Sequence, residues 1–105
     1  MAIIILEREF PSYKNDEVVA AWLRAMEKYP EPEGLYTTLI QSAMRGTKTG
    51  LKSLSAYLLK PGKFDEAVAY LIKFNSEFLK IEGYTYEFTD WSTLEESLAS
   101  IGFQK

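Results

Sequence analysis

The segment AIIILEREF, residues 2–10, decides how this chain folds. Ile3, Ile4, Ile5 and Leu6 follow one another without a polar residue between them. Successive side chains of a strand point to opposite faces, so a strand apolar on both faces must be covered on both. The segment is therefore expected at the centre of a sheet. Its charges arrive late, at Glu7, Arg8 and Glu9, and Pro11 closes it. Glu7 and Glu9 share one face and Arg8 takes the other. Two carboxylates so placed could serve acid–base chemistry or a hard cation. Their place at the end of the strand favours a solvated pair at the sheet rim.

Working outward from that strand, Asn15 or Asp16 offers a cap for a helix over 16–29, whose apolar positions are Val19, Trp22, Leu23, Met26 and Tyr29. PEPEG, 30–34, ends it. LYTTLIQSAM, 35–44, and LKSLSAYLLK, 51–60, read as strands, joined through RGTKTG, 45–50, in a hairpin. A second helix over 63–80 carries Phe64, Val68, Leu71, Ile72, Phe78 and Leu79 on its stripe, and Gly83 closes it. YTYEFTDW, 84–91, is a fourth strand. Ser92 with Glu95 has the spacing of a capping box and opens a short last helix, with Leu94, Leu98 and Ile101 expected inward.

The order β-α-β-β-α-β with a C-terminal helix predicts an α+β ferredoxin-like sandwich. Right-handed crossovers place both long helices on one face of a four-stranded antiparallel sheet, with the first and third strands central. Residues 1–105 are expected to form one domain. On the third strand Leu54, Ala56 and Leu58 share one face, and Ser53, Ser55, Tyr57 and Leu59 the other. The second set is expected on the face away from the helices. The second strand would add Thr37, Leu39 and Gln41, or else Tyr36, Thr38 and Ile40. Such a face lacks the Lys and Glu density of a wet sheet, so a second copy of the chain is expected to cover it, giving a homodimer.

Two zeros in the composition exclude much chemistry. Without cysteine there are no disulfides, thiolate nucleophiles or Cys-held metals; without histidine the usual hydrolase triads and the commonest metal ligand are gone. No metal or cofactor is expected. The net charge of −3 argues against nucleic-acid binding. No stretch reaches the ~20 apolar residues of a membrane span, and the N-terminus lacks the features of a signal peptide. A cytoplasmic protein without membrane contact is the expectation.

The strand order, the length and the half-apolar open face resemble the dimeric α+β barrel superfamily, in which two ferredoxin-like domains pack sheet to sheet. More narrowly, REFP at 8–11, PEPEG at 30–34 and STLEESL at 92–98 are similar to an uncharacterised family of small ferredoxin-like domains. That resemblance implies a fold and a dimer but lends no activity. The superfamily's haem-binding branches ligate iron through histidine, which is absent here.

MRGTKTGLKS, 44–53, has the look of a phosphate cradle, but Gly46 and Gly50 enclose only three residues and Leu51 stands where a Walker lysine belongs. It reads as a hairpin turn, with its glycines supplying positive φ and its lysines solubility. Arg45, Lys48 and Lys52 could hold an anion weakly. Trp22 and Trp91 are expected as packing anchors. The defensible ligand site is Tyr57, Ser55, Ser53, Gln41 and Arg8: hydroxyls, an amide and a guanidinium able to orient a small polar or aromatic molecule beneath apolar walls. The same residues could form a half-polar dimer interface, and Arg8 joins them only if strand parity allows. Three functions follow: a small-molecule binder using a cavity under the helices or between two sheets, a dimeric interaction module without ligand, or a cofactor-independent monooxygenase or isomerase.

Overall fold

The computed structural model describes residues 2–100 and Gly102. β1 is Ala2–Phe10, followed by a single 3-10 turn, Ser12–Lys14, and α1, Asn15–Lys28. β2, Tyr36–Gly46, and β3, Leu51–Leu59, form the hairpin. α2, Phe64–Asn75, runs on into a 3-10 turn, Ser76–Phe78, then β4, Thr85–Ser92, and α3, Leu94–Ser100. The sheet order is β2-β3-β1-β4 with every neighbouring pair antiparallel. This is the ferredoxin-like α+β arrangement, with β1 and β3 in the centre. No helix among the described residues is long and apolar enough to cross a membrane.

Two clusters locate the helix layer. Ile4 and Leu6 of β1 and Tyr57 and Leu59 of β3 pack with Ala67 and Leu71 of α2. Phe10 packs with Ala21 and Ala25 of α1 and with Phe78, Ile81 and Tyr84. The helices therefore cover the even-numbered face of β1 and the odd-numbered face of β3. This reverses the expected parity. Ser53, Ser55, Tyr57 and Leu59 face the helices, all buried. Leu54, Ala56 and Leu58 face away, in register with Glu7, Ile5 and Ile3. The mistake has a physical source. Small hydroxylated residues suit a sheet face under open space as well as one turned outward, and the space here lies between sheet and helices.

The helices differ from expectation for the same reason. α1 touches the core through Ala21 and Ala25, while Val19, Trp22, Leu23 and Met26 are 38–58 % exposed. α2 buries Ala67, Leu71 and Asn75 and leaves Phe64 and Ile72 largely exposed. Leu79, also placed on that stripe, is exposed beyond the 3-10 turn. Small residues let α1 approach the Phe78 turn closely, and its larger apolar residues are left beside the space under the helices. Arg24 and Lys28 of α1 reach Glu77 at 3.8 and 3.3 Å and fix this contact.

At the C-terminus the capping box is shifted by one residue. Thr93 Oγ1 accepts from the Glu96 backbone N–H at 3.2 Å, and Glu96 Oε1 accepts from the Thr93 N–H at 3.0 Å. That second bond, the largest cause, holds the Glu96 carboxyl below its usual pKa. Leu94 is exposed rather than inward, Leu98 is half-buried, and Ile101 lies outside the described residues. In the β2–β3 turn neither Gly46 nor Gly50 has positive φ. Gly50 is needed for another reason: a Cβ there would sit 2.1 Å from the Phe10 carbonyl oxygen.

Candidate functional site

The site grows from three neighbouring strands. Arg8 of β1 lies opposite Ser53 of β3 on the helix-facing side. β2 carries two register shifts, the second between Ile40 and Ala43, which sets both Gln41 and Ser42 against the single β3 residue Ser55. That extra residue turns backbone toward the sheet interior. Ser55 Oγ donates to the Gln41 carbonyl at 2.6 Å, and the Ser42 and Ser53 hydroxyls lie 2.8 Å apart.

Arg8 is only 9 % exposed. Its Nη1 donates to Ser55 Oγ at 3.1 Å and its Nε to Asn75 Oδ1 at 3.4 Å. Asn75, fully buried on α2, is held by its own Nδ2 donating to the Leu71 carbonyl at 2.8 Å. Its Oδ1 also accepts from the Tyr84 hydroxyl at 2.8 Å. Burial pushes the Tyr84 phenol up, with the charge and hydrogen bonding of Arg8 pulling the other way. No carboxylate among the described residues lies within ion-pair distance of the Arg8 guanidinium. Glu7 turns to the other face and pairs with Lys52 at 3.4 Å.

Beside this network lies a solvent-open cavity of about 620 Å³ between β2, β3 and the two long helices. Arg8, Ser53, Gln41 and Tyr57 border it, and Ser55 ties Arg8 to β2 just behind. The five residues singled out in the sequence are thus brought together, on the covered face rather than the open one. The rest of the wall is mostly aromatic and apolar: Phe10, Trp22, Met26, Tyr36, Tyr70 and Phe74. Tyr36 and Tyr57 lie 4.8 Å apart, ring centre to ring centre, and Tyr36 and Tyr70 6.4 Å. The Tyr70 hydroxyl donates to the Tyr29 carbonyl at 2.8 Å, which fixes α2 to the chain leaving α1. Burial, with Glu31 nearby, pushes the Tyr70 phenol up to about 12 and the Tyr36 phenol further still. Both rings stay protonated and neutral at ordinary pH.

Sequence reasoning missed Asn75, Trp22, Tyr36 and Tyr70. Asn75 left a signal: it sits four residues after Leu71 and three before Phe78, an amide in the middle of an apolar stripe. Trp22, expected to anchor packing, borders the cavity at 38 % exposed, and Trp91 lies on the open face at 56 %. No group of three or more metal-ligating side chains occurs among the described residues.

No protein-family model matches this sequence, and no curated protein matches it. Solved structures resemble it in fold. A de novo designed protein, Foldit4, superposes with a TM-score of 0.51 at 8 % identity, over 88 % of this chain and 96 % of the designed one. A Shewanella loihica PV-4 protein provisionally named a monooxygenase superposes with a TM-score of 0.50 at 10 % identity, over 89 % of this chain and 94 % of its own. At these identities the likeness is one of fold alone: this chain shares the ferredoxin-like α+β architecture of both.

Proposed function

We propose that this protein binds a small molecule in the cavity between the sheet and its helices. The observation that carries the reading is the cavity itself: about 620 Å³, walled by aromatic rings, with a few convergent polar groups at one end. Ligand sites have this size and this mixture of many apolar walls and few polar anchors. Chemistry ranks below binding. A general acid or base works best with a pKa near the operating pH, and the cavity's Tyr36 and Tyr70 are driven away from it. An interaction module would have filled this space with side chains.

The test is to extract the purified protein with organic solvent and weigh what is released, alongside a fluorescence screen of aromatic and polar small molecules. Trp22 borders the cavity and Trp91 does not, so Trp22→Phe should abolish a ligand-induced fluorescence change that Trp91→Phe retains. A change that follows Trp91 instead would remove the reading.

We also propose that a second copy covers the open sheet face. Ile3, Ile5, Leu54, Ala56 and Leu58 stand there side by side, with Ile40 of β2 beside Ala56. Charge gathers at one end only, acidic on β1 and β4 at Glu7, Glu9 and Glu87, basic on β2 and β3 at Arg45 and Lys52. A two-fold arrangement can set one half of that end against the other. Light scattering should give twice the 12.0 kDa of the chain at micromolar concentration; a value of one chain would end the proposal.

A further inference from the structure

We infer that the ligand is an aromatic monocarboxylate and that Arg8 receives its carboxylate, an inference that rests on the cavity being a binding site. An arginine that is nine-tenths buried has lost much of its hydration, and such a charge is ordinarily matched by a carboxylate. Among the described residues Arg8 is matched by neutral groups, the Ser55 hydroxyl, the Asn75 amide oxygen and the Tyr84 hydroxyl beside it. An arginine has five N–H donors; the bonds to Ser55 and Asn75 use two and the Tyr84 hydroxyl can take a third, which leaves donors to spare on a side chain that borders the cavity. Ser55 and Asn75 are themselves held by Gln41, Leu71 and Tyr84, so the guanidinium sits in a prepared frame. A rigid donor fork at the end of an apolar cavity fits the planar oxyanion that arginine binds best.

The rest of the wall sets the class more narrowly. Among the described residues Arg8 is the only cationic side chain bordering the cavity, so a single negative charge is matched and a second is not. The cavity's acid is Glu31, exposed and tied to Thr38 Oγ1 at 3.1 Å, and it opposes a second anionic group. Trp22, Tyr36, Tyr57, Tyr70 and Phe74 also line the cavity and offer aromatic surface to a flat apolar body. A phosphate ester, doubly charged and usually held by several cations and backbone N–H groups, is poorly served by one guanidinium.

The probes are 2-naphthoate and 2-naphthamide, of nearly the same shape but differing in charge. Titrated calorimetrically into the wild-type protein, the acid should bind about tenfold or more tightly than the amide, as expected of hydrogen bonds to a charged group. The Arg8 Nε–H resonance should shift with the acid. Arg8→Met and Arg8→Lys should lower affinity for the acid about tenfold and leave the amide within about twofold. If either variant fails to fold, the wild-type comparison and the Arg8 resonance still decide. Equal affinity for acid and amide, or a still Arg8 resonance on acid binding, overturns the inference while leaving the cavity a binding site. Binding of neither probe at millimolar concentration overturns it too. The solvent extract and the Trp22 response then judge the cavity independently.

Discussion

The two faces of the sheet blur the usual division between inside and outside, although the core clusters around Ile4, Leu6 and Phe10 lie under the helices. Under the helices, where an apolar layer is ordinary, β1 and β3 place Arg8, Ser53 and Ser55, all buried. On the face away from α1 and α2, where polar residues are ordinary, they place Ile3, Ile5, Leu54, Ala56 and Leu58. The difference teaches that polarity follows the space a face looks into, not its nominal side. Hydroxyls and a guanidinium are affordable under the helices because each has a partner or a cavity to address. An aliphatic face turned outward is economical if another aliphatic face meets it.

The sharpest way to break this comparison uses neighbours on β1. Leu6 is fully buried on the covered face, and Leu6→Ala should cost about 2–5 kcal/mol in a urea titration, independently of protein concentration. Ile5, on the open face, should cost less when cut to alanine, and its cost should grow with protein concentration, because binding of a second copy stabilises the folded state by mass action. A concentration-independent Ile5→Ala would mean that the open face stays uncovered.

Next in size is Arg8→Met, which should raise stability by about 0.5–2 kcal/mol, since it removes a buried charge at a functional position. Ser55 and Asn75 keep their bonds to Gln41, Leu71 and Tyr84, so the change strands no polar group. Destabilisation beyond about 1 kcal/mol would make Arg8 a structural residue.

The phenols of the covered face give a pH test. Tyr36, Tyr70 and Tyr84 all have pKa values above the ordinary 10.0. Above that pH the unfolded chain has released protons that the folded chain still holds, so stability should be level below pH 10 and fall as pH rises past it. For Tyr70 the loss should extend to about pH 12. Circular dichroism followed against pH would read it; stability unchanged through that window would mean the phenols are more open to water than the fold implies. The smallest effect is expected at the hairpin: Lys48→Ala, exposed and far from both faces, should stay within about 0.5 kcal/mol.

The fold was legible because its signals are local. The unbroken aliphatic run of Ile3–Leu6 marked a central strand, and the alternation of Leu54 to Leu59 marked another. The grouping of the candidate site was also legible, since strand parity sets Ser53, Ser55 and Tyr57 on one face and the fold brings Gln41 and Arg8 beside them. Its side of the sheet was not. Strand parity shows which residues travel together, not which way they turn, and both faces here lack solvating charges. The aromatic wall was hidden for a different reason. Trp22 and Met26 lie on a helix stripe at ordinary spacing, and it is Ala21 and Ala25 that seat α1 on the core while that stripe borders the cavity.

The two register shifts in β2 have an effect beyond aiming Gln41. β2 is an edge strand of eleven residues, exposed along nearly all its length. A regular edge of that length, with Leu39, Ile40 and Met44 on it, would be a template for strands of other chains and hence a route to aggregation. Each shift breaks the even spacing of backbone N–H and C=O groups that an incoming strand must match. The irregularity that shapes the cavity also makes the edge a poor seed for fibrils.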